Sequence, residues 1–292
     1  MAIAVPASRI LLAYKDYTLD NTTIITGTGW SASTVGNIAS TQFSTDAIAT
    51  SNSTSISIDL GSQLSIGIIT IPKHSLGTNS TWRVRTSNNV GLLTSPGSVP
   101  VEEVLSDSGI VKVWPEVADL TDVPYIEYVE WAGGLTNTTA PSASLPLIDT
   151  RAQYIYIDLV DADNASYHLC KLTIGPYWRP TGGVSANWTI SYKAKGATHK
   201  RILGGGVFFE DKARYKQLKF SCKNLTETEI FSQVAEIDKI QTTADPWIVL
   251  LDPSDTKNLH RLFMYGTNSK IFPAKSTRYG YFSKTYTIDE WL

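Results

Sequence analysis

The chain has 292 residues, a formal net charge of -2, 42% apolar residues and 18% charged residues, a charged share below the roughly 25% usual for soluble proteins. That length allows two domains and a sizeable core. No basic run is present, which argues against phosphate-directed nucleic-acid binding, and no apolar run approaches the ~18 residues of a membrane-spanning helix, which argues against membrane insertion.

Residues 8–14, Ser-Arg-Ile-Leu-Leu-Ala-Tyr, read as an opening strand. A Thr/Gly-rich segment runs from Thr22 to Trp30, whose indole is large enough to plug one end of a sandwich. Residues 33–54 are rich in Ser, Thr, Ala and Asn and read as a surface connection. From Ser55 to His74 the pattern alternates, with Ile56, Ile58 and Leu60 on one face and Ser55, Ser57 and Asp59 on the other. Asp59-Leu60-Gly61 is expected to turn the chain into a second strand that carries Ile66, Ile68, Ile69 and Ile71 and ends at Pro72.

Thr81 to Thr86 alternates Trp82, Val84 and Thr86 with Arg83 and Arg85, giving one buried and one wet face. Residues 88–150 hold six prolines and the Gly133-Gly134 pair, so they read as a long loop insert that decorates the sandwich. Gln153 to Val160, continuing through Tyr167 to Pro176, repeats the organisation of the 55–74 stretch. These two stretches are expected to be partner strands of one sheet.

Two prolines and three glycines punctuate Gly175 to Gly183, which places a boundary after residue 178. The expected domains are therefore 1–178 and 179–292. In the second, 188–195, 201–209 and 215–222 read as antiparallel strands. Gly204-Gly205-Gly206 lacks the Lys-Ser/Thr of a phosphate loop and reads as a bulge. A helix is expected over about 226–241. Thr226 is its N-cap, Glu229 completes a capping box, and Leu225 and Ile230 form a hydrophobic staple. Ile230, Val234, Ile237 and Gln241 trace its inner face. Trp247 to Leu251 reads as a fully buried strand, and Leu259–Gly266 and Lys284–Leu292 as two more. The fold class is mainly β: an N-terminal β-sandwich of jelly-roll type, then a C-terminal α+β barrel or sandwich around one helix.

Chemistry-bearing motifs are sparse. His74, His168, His199 and His260 lie at no metal-ligand spacing. No nucleophile elbow occurs. The carboxylate pairs Glu102-Glu103, Asp161/Asp163 and Asp252/Asp255 lie in turn-rich segments, where solvation or turn capping is the ordinary role. Asp161-Ala-Asp-Asn164 is oxygen-rich but lacks the later glycine and glutamate of an EF-hand. Cys170 and Cys222 sit in strand-like runs and read as buried free thiols, with a Cys170–Cys222 disulfide as the alternative. No enzyme activity, cofactor or metal is expected. Trp30, Trp82, Trp114 and Trp131 are the candidates for stacking on a carbohydrate, with core packing as the alternative for each.

Residues 8–178 resemble a discoidin-like, galactose-binding-like jelly roll. The resemblance rests on Trp30, on Ile58-Asp-Leu-Gly61, on the run from Ile68 to Leu76, on Thr81–Thr86 and on Gln153–Asp158. Through Val111–Pro115, Leu172–Pro180, Gly204–Gly206 with Phe208-Phe209, and Asp252–Arg261, the whole chain resembles a family of structural proteins from long-tailed bacteriophage and prophage tails. That resemblance implies a non-enzymatic virion component of the distal tail or baseplate. Its second domain would resemble tail-tube modules and close a homo-oligomeric ring, hexameric in related proteins. It would sit at the virion tail tip between the tail tube and the baseplate hub, with a host glycan as a further partner of the jelly roll.

Overall fold

The computed structural model describes residues 10–31, 34–40, 45–77, 79–113, 129–132, 150–185, 187–194, 199–201, 207–209, 214–251 and 262–291. The chain is mainly β and its sheets are antiparallel. It divides into two compact units. One is residues 13–178 with 252–262. The other is 179–251 and 263–292 together with residues 1–12, so Leu11 and Leu12 cluster with the C-terminal unit.

The larger unit is a β-sandwich. Its strands in chain order are the end of β1 (Leu11–Ala13), β2 (Ile24–Thr28), β3 (Ala47–Ile48), β4 (Ser53–Ile66), β5 (Ile68–His74), β6 (Thr81–Ser87), β7 (Val104–Asp107), β8 (Val111–Lys112), β9 (Val129–Ala132), β10 (Thr150–Val160), β11 (His168–Gly175) and β12 (Tyr177–Trp178). One sheet has the order β2-β4-β10-β6-β7, with β8 also on β6; the other has the order β3-β11-β5-β9. One apolar core is shared by the two, drawing Ile56, Ile58 and Leu60 from β4, Ile69 and Ile71 from β5, Val84 from β6, Ile155 and Ile157 from β10, and Leu172 and Ile174 from β11. Alternation explains the division: each strand sends every second side chain inward.

The expectation that 55–74 and 153–176 pair within one sheet is corrected. β4 pairs β10, with Ile58 opposite Ile155, while β5 pairs β11 in the other sheet, with Ile69 opposite Ile174. The chain changes sheet between Ile66 and Ile68 rather than at Gly61. Gly61 adopts φ 74°, a left-handed conformation that side chains disfavour, yet β4 runs straight through it. The register shifts between Ala152 and Tyr154 on the partner strand, close to that point. A local irregularity is cheaper here than a turn because Ile66 still reaches the core. The 33–54 segment also does more than connect: Ile38, Ala47 and Ala49 are buried. Within the 88–150 insert, α1 (Gly91–Thr94) buries Leu92, and β7 and β8 add to the six-stranded sheet. Residues 114–128 and 133–149 lie outside the described residues.

In the second unit, β13 (Thr189–Ala194), β14 (His199–Arg201), β15 (Val207–Phe209), β16 (Arg214–Thr226), β17 (Pro246–Leu250), β18 (Phe263–Asn268), β19 (Lys275–Arg278) and β20 (Tyr281–Glu290) follow in chain order. The main sheet runs β1-β17-β18-β20-β16-β13, with β19 on β20, and β14 pairs β15 separately. β17 is buried at every position, matching its unbroken apolar run. Gly204–Gly206 and the Asp252/Asp255 pair fall outside the described residues.

The expected helix forms where the capping signals put it. Thr226 accepts from the Glu229 amide, and the Glu229 carboxylate accepts from the Thr226 amide. α2 (Glu227–Glu229) passes through a π-helical stretch, Ile230–Val234, into α3 (Ala235–Ile240). Ile230, Val234, Ile237 and Gln241 are buried and Phe231 is exposed. The Glu229 Oε1 atom also accepts from the Thr181 amide and hydroxyl, both at 2.8 Å. Burial pushes this carboxyl up, but the hydrogen bonds from Thr181 and Thr226 outweigh it and hold it below its ordinary range.

Candidate functional site

The outward face of the six-stranded sheet gathers polar and aromatic side chains that alternation turns away from the core. β10 presents Tyr154, Tyr156 and Asp158, all half-buried, between the inward Ile155, Ile157 and Leu159. β6 presents Arg83 and Arg85, and β7 presents Asp107. Register sets Arg83 opposite Asp158, and Arg85 opposite both Tyr156 and Asp107. The ion pairs form on the diagonals. Arg83 holds Asp107 through two bonds, Nε to Oδ1 at 3.0 Å and Nη2 to Oδ2 at 2.6 Å. Arg85 Nη2 reaches Asp158 Oδ2 at 2.5 Å, Nη1 donates to the Pro96 carbonyl at 3.1 Å, and the guanidinium lies 5.1 Å from the Tyr156 ring centre.

The two pairs differ in setting. Arg83 and Asp107 keep about a third of their side-chain surface in water (38% and 33%), whereas the Arg85 side chain retains only 11%. The hydrogen bond from Arg83 holds the Asp107 carboxyl below its ordinary range, and the same bond raises the Arg83 guanidinium. Residues 88–103 come back to this face. Ser57 Oγ donates to Leu93 O at 3.3 Å, Ser87 Oγ donates to Glu103 O at 2.7 Å, and Pro96 receives Arg85. The result is a charge-balanced patch of two forked cations, two carboxylates and two phenols on a rigid sheet, bordered by a short strap.

Of the four tryptophans, Trp82 is 2% exposed and belongs to the core, so it offers no stacking surface. The reason is the β6 alternation that turns Arg83 and Arg85 outward. Trp30 is half-buried; its Nε1 donates to Ser55 O at 2.8 Å and its ring meets Tyr167 edge-on at 5.8 Å. It packs against the apolar core. Burial pushes the Tyr167 hydroxyl up to about 12, with the Thr54 hydrogen bond working against that shift and Asp161 adding to it. Trp131 stands on β9, opposite Ile69, and Trp114 lies outside the described residues.

The Asp161–Asn164 loop has a structural use. The buried Asp161 carboxylate accepts from the amides of Gly77, Asp163 and Asn164 and from the Asn164 side chain. Asp163 accepts from the Asn79 amide at 2.9 Å and its side chain at 2.8 Å. These N–H donors occupy the oxygens that a cation would need. Among the described residues, no three His, Cys, Asp or Glu side chains form a metal-ligating group. His74 Nδ1 accepts from the Leu76 amide, and His168 Nδ1 lies 2.6 Å from Asp46 Oδ2. Cys170 and Cys222 are buried free thiols, both pushed up by burial. Asp252, Asp255 and His260 lie outside the described residues. No described helix is long and apolar enough to cross a membrane.

Sequence reasoning identified Arg83 and Arg85 as a wet face but did not join them to Tyr154, Tyr156, Asp158 and Asp107. The alternation of 153–160 could have placed the tyrosines and Asp158 outward; only the strand order brings β10 beside β6.

No family model matches the chain, and no curated protein matches it in sequence. Several solved structures align with part of the chain. A Ruminococcus gnavus GH29 fucosidase, in complex with fucose, aligns at 13% identity over 55% of this chain and 26% of the other, with a TM-score of 0.36. This chain therefore spans about a quarter of that enzyme's length. A Clostridium perfringens CBM32 module in complex with GalNAc-beta-1,3-galactose aligns at 12% identity over 56% of this chain and 100% of the module, TM-score 0.33. A Streptococcus pneumoniae fucose-binding module aligns at 9% identity over 56% and 95%, TM-score 0.35.

Proposed function

We propose that this chain is a non-enzymatic binding protein whose β-sandwich takes up a carbohydrate on the outer face of the six-stranded sheet. The observation that supports it is the joint display of Tyr154, Tyr156, Arg83, Arg85, Asp107 and Asp158 on one sheet surface. Sugars combine apolar C–H faces with closely spaced hydroxyls. Phenol rings pack against the former, and forked guanidinium and carboxylate groups bond pairs of the latter. The two ion pairs leave the patch near neutral, which suits a neutral glycan better than a polyanion. The sheet also fixes these groups before the ligand arrives, which limits the ordering cost.

A glycan array with the full chain, followed by titration of Tyr154→Ala and Arg83→Ala, tests the reading. Saturable binding that each variant weakens by about tenfold or more supports it, corresponding to roughly 1.4 kcal/mol per tenfold. No glycan bound, or binding unchanged in both variants, overturns it. Trp131→Ala separates this face from stacking in the insert, since only the latter would suffer.

A second reading has its own support. β13 ends the main sheet of the C-terminal unit; its Tyr192 is 71% exposed, and Trp188, the residue just before it, is 41% exposed. An edge strand with exposed aromatics is suited to receive a strand from another copy. That favours the homo-oligomeric ring of a virion tail-tip subunit, hexameric and placed between the tail tube and the baseplate hub. Light scattering and negative-stain imaging of the full chain test it: rings that Tyr192→Lys disperses support it, and a strict monomer at high concentration excludes it.

A further inference from the structure

The β-sandwich contains a lysine and an aspartate that the binding face does not use. Lys171 on β11 and Asp16 have side-chain exposures of 0% and 1%, and Nζ lies 2.8 Å from Asp16 Oδ2. The surroundings are specific. Lys171 Nζ donates to Thr18 Oγ1 at 3.0 Å and to the Ala39 carbonyl at 3.1 Å. Asp16 Oδ1 accepts from the Thr18 amide at 3.0 Å, the Thr18 hydroxyl at 2.7 Å and the Ile174 amide at 3.3 Å. Oδ2 receives no aligned hydrogen bond, despite the close nitrogen. The amine thus directs two N–H groups elsewhere while its nitrogen stays in contact with the carboxyl group.

The fold holds this arrangement in place. β3 pairs with β11 only at His168 and Leu169. Beyond that point the side chains of Thr18 and Asp16 take over the free edge, at Leu172 O and Ile174 N. Gly175 permits the close approach, because a Cβ there would lie 1.8 Å from Lys15 O.

We propose that Lys171 and Asp16 join covalently through an intramolecular amide bond. In the proposed step a proton passes from the Lys171 ammonium to Asp16 Oδ2, 2.8 Å away, which frees the Nζ lone pair. The Nζ lone pair attacks the Asp16 carboxyl carbon. Charge develops on Oδ1, where the amides of Thr18 and Ile174 already point. The C–Oδ2 bond breaks, Oδ2 leaves with its own proton and one from the nitrogen as water, and Oδ1 remains as the amide carbonyl. Atoms and electrons balance without an oxidant or co-reactant. Burial of both groups in contact supplies the proximity that free amine and acid lack. The bond would link the start of the sandwich to its penultimate strand, so tension between residues 13 and 178 would bypass nearly all of the fold between them.

The test is the intact mass of the full chain, denatured and reduced, with peptide mapping. The expected result is a mass one water below that of the sequence and one branched peptide containing both Asp16 and Lys171. Asp16→Asn is expected to end one ammonia lighter through the same attack, while Lys171→Arg keeps its full sequence mass. A wild-type chain, folded by circular dichroism, that shows the full sequence mass with the two peptides recovered separately overturns the proposal. So does a water loss that maps to other residues.

Discussion

Among the described residues two lysines are buried, one in each unit, and they are held differently. Lys171 and its partner Asp16 are both sealed inside the sandwich, with side-chain exposures of 0% and 1%. Lys284 on β20 is as deeply buried at 1%, but its partner Asp238 keeps 33% of its side chain in water. The Lys284–Asp238 contact is 2.5 Å, with the ammonium 5.9 Å from the Tyr286 ring centre. Asp238 stands on the outer side of α3, so the pair keeps a hydrated end. The Lys171 pair has none and relies on Thr18, Ala39 and two backbone amides. A lysine can therefore be buried in two ways: beside a carboxylate that still touches water, or inside a closed polar cage whose geometry must be complete, the setting of the proposed amide.

The largest expected effect tests that contrast. Asp16→Ala leaves the Lys171 amine enclosed with neither a counter-charge nor a carboxyl group to bond, and should destabilise the sandwich by about 3–5 kcal/mol in urea unfolding. Asp238→Ala should cost about 2 kcal/mol, the scale of one hydrogen bond to a charged group, since removing that side chain opens a path for water. Equal costs for the two variants would erase the distinction.

Next comes Glu229, the charged link between the helix start and Thr181. Glu229→Ala removes the capping box and should lower the C-terminal unit's stability by about 1–2 kcal/mol. Its carboxyl titrates below the ordinary range in the folded chain. The stabilisation is therefore complete above the unfolded value and is lost as pH falls through the lower folded value. Melting curves on acidification should converge for wild type and variant; curves that stay apart through the carboxylate range would show that Glu229 acts otherwise.

The smallest effect belongs to the binding face. Arg83→Ala breaks a solvent-screened pair and should change stability by about 0–1 kcal/mol, while weakening glycan binding far more. A large loss of stability here would mean that the Arg83–Asp107 fork is structural rather than a ligand contact.

Local signals in the chain were enough for some elements. The capping box placed the helix start, because its donors and acceptors lie three residues apart at Thr226 and Glu229. The unbroken apolar run of 247–251 read as a buried strand, and alternation around Trp82 and Val84 assigned inner and outer faces. Trp82 nonetheless stood among the stacking candidates, and its burial removes that reading.

Strand partnership was not local. Nothing in residues 55–74 distinguishes one long strand crossing Gly61 and changing sheet near Ile66 from two strands turning at Gly61. The choice depends on which course lets both halves bury their isoleucines against 150–160 and 168–175. The binding face arises the same way, from β10 lying between β4 and β6. Lys171 and Asp16 likewise appear in sequence as an ordinary strand residue and an ordinary loop residue. Periodicity and capping are carried by neighbours in the chain, so sequence alone determined the faces and the helix. The pairing of distant strands, and the enclosure of two charges between them, depend on long-range packing that only the folded chain decides.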